Sequence, residues 1–114
     1  MAIKGDILID SDCPSIEDAV VYVYLEDVSN ADASAIPVAS VSISDVHHTP
    51  GRQDRIAFEL DEFPSNSRTI YTLRAHVAVH GGDDIRVGDL VTTEFTQINP
   101  EKGIQGLNIR VRPV

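Results

Sequence analysis

Histidine and aspartate offer the most chemistry in this sequence, and they gather in three stretches. Asp10, Asp12, Glu17 and Asp18 fall in residues 10–18, Asp45, His47 and His48 in 45–53, and His80, Asp83 and Asp84 in 80–84. Imidazole and carboxylate together suit zinc or another divalent cation, provided three or four of them converge at about 2 Å. Neighbouring His47 and His48 point opposite ways on extended backbone, so only one of them can serve a given ion. His76 shares a strand face with His80 but stands roughly 13 Å away along the strand, too far for a common metal. Asp10-x-Asp12 does not open a calcium hand, because no glycine occupies the sixth loop position and Val21 stands where the closing glutamate belongs. No serine sits in a G-x-S-x-G elbow, and Cys13 has no basic neighbour in sequence to lower its pKa. No glycine-rich loop leads into a helix to cradle phosphate. The chain is therefore read as a non-enzyme with no cofactor.

Tyr22 and Tyr24 suggest a different use. Val21, Val23 and Leu25 fall on one side of an extended chain, and Tyr22, Tyr24 and Glu26 fall on the other. Two outward tyrosines give flat, amphipathic area of the kind enriched in binding sites, although tyrosine is also simply a good strand former. Asp27, Ser29, Asn30 and Asp32 follow, with side chains that hydrogen-bond their own backbone and shape a turn.

Alternation of this kind recurs along the chain. Strands are expected over 3–9, 19–27, 37–44, 56–60, 70–80, 85–96 and 107–111, with a bulge at Gly88–Asp89 interrupting the sixth. Pro50–Gly51 and Gly81–Gly82 mark turns, and no helical period is present. These features predict an all-β, Greek-key, immunoglobulin-like β-sandwich of about seven antiparallel strands, forming a single domain over residues 1–114. Tyr71 opens a long strand just after a corner, which fits either a tyrosine corner or an ordinary core tyrosine. If strand directions alternate strictly, loops 10–18, 45–53 and 80–84 meet at one end.

The formal charge of −9 argues against nucleic acid, whose binding rests on Lys and Arg neutralising phosphates. Up to Asp45 the only basic residue is Lys4, so an acidic end favours either plain solvation or a basic partner. A lone cysteine precludes an internal disulfide. No run approaches the roughly 18 apolar residues of a membrane helix, and the first residues lack a signal-peptide core. The sequence as given therefore reads as cytoplasmic, or as periplasmic or envelope-located had a leader been removed.

The run Leu25-x-Asp27–Val28–Ser29-x-Ala31–Asp32–Ala33, with Ala39 after it, resembles the bacterial YbaY/YscW-like lipoprotein family. Phe58-x-Leu60, Tyr71-x-Leu73-x-Ala75 and the closing Leu107-x-Ile109-x-Val111-x-Pro113–Val114 fit the same pattern. That family includes the chaperones, or pilotins, of type III secretion. The resemblance implies a small envelope-associated β domain that binds another protein and performs no chemistry. The leading expectation is thus a non-enzymatic protein-interaction module, secretion-associated and chaperone-like, that presents either Tyr22, Tyr24 and Glu26 or the acidic loop end. The alternative is a metal- or calcium-dependent ligand-binding domain using His47, His48, His80, Asp83, Asp84, Asp10 and Asp12. Tyr71, Asp27 and Asp32 are assigned structural roles, and the oligomeric state is left open, a homodimer included.

Overall fold

The alternating runs do become strands. The computed structural model describes residues 3–29, 36–60, 69–80, 85–92, 96–98 and 104–114. Eight strands lie within them: β1 (Ile3–Ile9), β2 (Ile16–Asp27), β3 (Ile36–His48), β4 (Asp54–Leu60), β5 (Tyr71–Ala78), β6 (Leu90–Thr92), β7 (Thr96–Ile98) and β8 (Ile104–Pro113). They form one sheet with the path β3-β2-β5-β6-β8-β1-β4, and β7 pairs with β5 beside β6. The path ends, β3 and β4, contact each other, so the sheet curls into a nearly closed barrel. The two-sheet immunoglobulin-like sandwich expected from the sequence is replaced by this single path. Short β6 is hydrogen-bonded to β5 on one flank and β8 on the other, and it carries the sheet around the core.

The expected sixth strand is also divided. Gly88 takes a left-handed φ of +98°, and the ladder begins only at Leu90. Ile85 and Val87, which fall within the strand expected there, are exposed, Val87 at 86%.

If β6 and β7 are counted as one broken strand, directions do alternate along the chain. The first and last strands then run the same way. Being neighbours, β1 and β8 pair in parallel, from Ile3↔Ile104 to Ile9↔Val111, and the sheet is not purely antiparallel. Alternation also brings the 10–15 and 49–53 connections to one end, where β5 finishes and β6 starts. The Gly51 N–H donates to the Ser11 carbonyl there at 2.9 Å.

The core follows the predicted parity. Val21, Val23 and Leu25 are fully buried beside Leu73, Ala75 and Val77, and Ile3, Ile7, Ile9, Phe58, Leu60, Ile109 and Val111 close it from the other side. Tyr71 is buried at the start of β5, opposite Asp27 and Ile98. No hydrogen bond joins its hydroxyl to another described residue. Near the start of β2 and the end of β3 each strand carries an extra residue, and Asp18 and Asp45 there adopt φ of +53° and +59°. Such paired bulges bend the ladder and increase its twist, which helps the sheet curl.

Gly5 permits a close approach of β1 to β8. A Cβ at this position would lie 2.6 Å from the Leu107 carbonyl oxygen and 2.8 Å from the Leu107 Cβ. No rotamer change relieves a clash with backbone. Gly5→Ala is expected to lose about 1–3 kcal/mol, the usual cost of overpacking. Urea melts measure it, and an unchanged midpoint would show that β1 and β8 separate freely.

Candidate functional site

The outer face of β2 is built by register with its two neighbours. Tyr22 lies opposite His76 on β5 and Ser42 on β3, and Tyr24 lies opposite Arg74 and Ser40. The tyrosine rings stack on each other, centroids 6.2 Å apart at 15°, and Tyr22 stacks on His76 at 6.0 Å. The Arg74 guanidinium sits 4.4 Å above the Tyr24 ring. Its Nε also donates to Glu26 Oε1 at 3.1 Å, with a longer second bond to Oε2 at 3.4 Å. A cation over a ring is worth about 0.5–1 kcal/mol where solvent reaches it. The larger effect is orientational, because both half-buried rings are held in place before any partner arrives. Exposed Ser40 and Ser42 leave the flank of the rings open on the β3 side.

His76 shares this face yet is wholly buried. Asp89, just before β6, is bonded to it. Its Oδ2 accepts from His76 Nε2 at 2.8 Å and from the Arg86 N–H at 3.0 Å, and its Oδ1 accepts from the Val79 N–H at 3.0 Å. Its own carbonyl accepts the N–H of Val114 at 2.8 Å. Through carboxylate and carbonyl together, Asp89 thus ties the end of β5, the segment before β6 and the end of β8. Burial alone would raise its pKa, but the three hydrogen bonds and the nearby His76 ring outweigh that and lower it. A carboxylate is only an acceptor, so His76 donates through Nε2, and Nδ1 is buried without a partner. Sealed from solvent, this pair supports the face and offers no reacting atom.

Residues 10–15 and 49–53 do meet as alternation predicts, but arginines enter there, and residues 81–84 lie outside the described residues. Asp10 is 3.2 Å from Arg110 Nε and 3.6 Å from Arg112 Nη1, and accepts from Gln53 at 3.1 Å. Asp12 accepts from Arg112 at 3.0 Å. The last strand therefore supplies the cations that neutralise the first loop. Arg112 in turn is raised in pKa, chiefly through its hydrogen bond to Asp12.

His47 and His48 do point apart. Exposed His47 accepts the Asp18 N–H at Nδ1, 3.3 Å away. Buried His48 places Nδ1 2.6 Å from Asp54 Oδ2, and its Nε2 has no partner. A cleft of about 260 Å³ lies between, lined by Ser15–Asp18 and His47–Thr49. His80 is exposed at the end of the β5 segment. Asp83 and Asp84 lie outside the described residues. Among the described residues, no three His, Cys, Asp or Glu side chains are grouped to hold a metal.

Cys13 is buried, and burial is the main cause of its raised pKa, so the thiol is unreactive. Asp27 accepts from the Ser29 hydroxyl and from the Ser29 N–H at 2.9 Å, bonds that lower its pKa and tie residues 27–29 together at the end of β2. Asp32 lies outside the described residues.

The sequence model of the type III secretion system lipoprotein chaperone (YscW) family matches residues 1–98. The chain belongs to this family. No curated protein matches it significantly. Among solved structures it is similar to an alternative pilotin from the type II secretion system of Vibrio cholerae, with 26% identity and a TM-score of 0.72. That match covers 100% of this chain and 96% of the other. Chaperones of this family are not enzymes and act on a protein partner. Membership in a lipoprotein family implies association with the cell envelope, and the cytoplasmic reading has no support. Among the described residues, no helix is long and apolar enough to cross a membrane.

Within this YscW-family fold, the outward parity of Tyr22, Tyr24 and Glu26 was legible in the sequence, but their contacts with Arg74 and His76 and the bonds of Asp89 were not. Arg74 and His76 occupy the outward parity of the fifth run, yet only the β2–β5 register shows that they meet the tyrosines. Asp89 did carry a signal, an acid on an otherwise apolar parity, which was assigned to a bulge. Asp89→Ala is expected to cost about 3–5 kcal/mol, because three donors lose their acceptor in a buried setting. Its depressed pKa means that this stability is in full above the ordinary carboxylate value of 3.8 and drains as pH falls through the lower folded value. Urea melts at neutral pH and under acid should show the parent losing stability more steeply than Asp89→Ala. Parallel losses would remove Asp89 from this role.

Proposed function

We propose that this protein is a pilotin-type chaperone of the cell envelope that binds a protein component of a secretion system through the outer face of β3, β2 and β5. Family membership supports the chaperone role. The V. cholerae pilotin, similar over the whole chain, supports a secretion-system partner. The observation that carries the choice of face is the Tyr22–Tyr24 stack, clamped by Arg74 and Glu26 and flanked by exposed serines. Tyrosine and arginine dominate the energetics of protein interfaces, and rings already fixed in place lose little entropy on binding. No reacting group is required, since the function is recognition and escort.

Tyr22→Ser combined with Tyr24→Ser tests the face directly. Both side chains point away from the Val21, Val23 and Leu25 core, so amide chemical-shift dispersion should survive. Binding to the secretion-channel protein of the same organism, measured by calorimetry, should weaken by about a hundredfold or more, as expected when two central anchors are removed. A folded double variant that binds like the parent would move the site elsewhere.

A further inference from the structure

The two strands that end the sheet are protected very differently. Edge strands expose unpaired N–H and C=O groups, and proteins usually blunt them with charge, proline or a bulge. β4 follows that rule, presenting exposed Arg55 and Glu59 outward. β3 does not. Between Pro37 and Asp45 it runs Val38–Ala39–Ser40–Val41–Ser42–Ile43–Ser44, with no charge, proline or glycine. Among the described residues β3 is hydrogen-bonded as a strand only to β2; it touches β4 without ladder pairing, so the backbone groups of its other edge have no strand partner there. Ala39, Val41 and Ile43 face the core side but are only partly buried.

We propose that this free edge of β3 pairs with the same edge of a second copy, giving a two-fold dimer with one sheet continuous across both chains. Charge argues for this occupant. Two copies of a chain with net charge −9 repel each other, and an isologous contact sets each patch against itself. An uncharged segment is the kind that tolerates self-pairing. Proline removes a donor at one end, and the bulge with Asp45 at φ +59° bends the strand at the other. The longest regular overlap is therefore antiparallel and centred on Val41. Ser40 then faces Ser42 of the second copy, and Ala39 faces its Ile43. At about 4.8 Å per strand, the two β2 strands lie roughly 14 Å apart, and their tyrosine faces join on the same side of one sheet.

Sedimentation velocity across protein and salt concentration tests this. Reversible dimers that tighten with added salt are expected, because salt screens the repulsion between acidic copies. Ser40→Glu with Ser42→Glu sets like charges across the axis and should weaken the dimer about tenfold. Ser40→Lys with Ser42→Glu sets opposite charges across it and should restore association. For the unaltered protein, hydrogen exchange of the 38–44 amides should slow as protein concentration rises. A monomer at every concentration, a dimer indifferent to both double substitutions, or exchange in 38–44 independent of concentration would each overturn the proposal.

Discussion

β2 is hydrogen-bonded on both flanks, to β3 from Ile16 to Asp27 and to β5 from Val20 to Asp27. That double pairing constrains everything else. One parity of the strand contributes Val21, Val23 and Leu25 to the core, and the other sets out Tyr22, Tyr24 and Glu26. A slip of one residue would exchange the two sets, moving the tyrosines inward and the valines out. The burial that stabilises the fold is therefore the same constraint that orients the tyrosine face. Arg74 and His76 arrive opposite the tyrosines through this register, and Asp89 secures the far end of β5.

Curvature solves a second problem, how one sheet encloses a core without a second layer. The Asp18 and Asp45 bulges bend β2 against β3, short β6 turns the path toward β8, and Gly5 lets β1 approach Leu107. Alternating directions then make the first and last strands parallel neighbours. The barrel stops short of full closure, and its two ends differ in chemistry: β4 carries charge at its edge and β3 carries none between Pro37 and Asp45.

Local pattern made much of this legible. Strand positions, the inward parity of β2 and β5, and the meeting of residues 10–15 with 49–53 all follow from alternation and turn residues. Pairing across long separations was not legible. Arg110 and Arg112 lie about a hundred residues from the acids they neutralise, so residues 10–18 read as an uncompensated acidic loop and a metal site became attractive. Nor could the alternation of 85–96 reveal that Gly88 turns the chain and buries Asp89 as an acceptor for three donors. The strands' alternation was equally compatible with two sheets or with one curled sheet, and β6 decides between them.

Family membership settles what kind of protein this is, while the face that meets the partner rests on geometry. Amide chemical-shift mapping of the labelled protein, titrated with its secretion-system partner, tests that assignment most directly. The account predicts that the largest changes cluster on Tyr22, Tyr24, Arg74 and the adjoining Ser40 and Ser42. Changes confined to residues 10–15 and 49–53, with the tyrosine face unmoved, would contradict it.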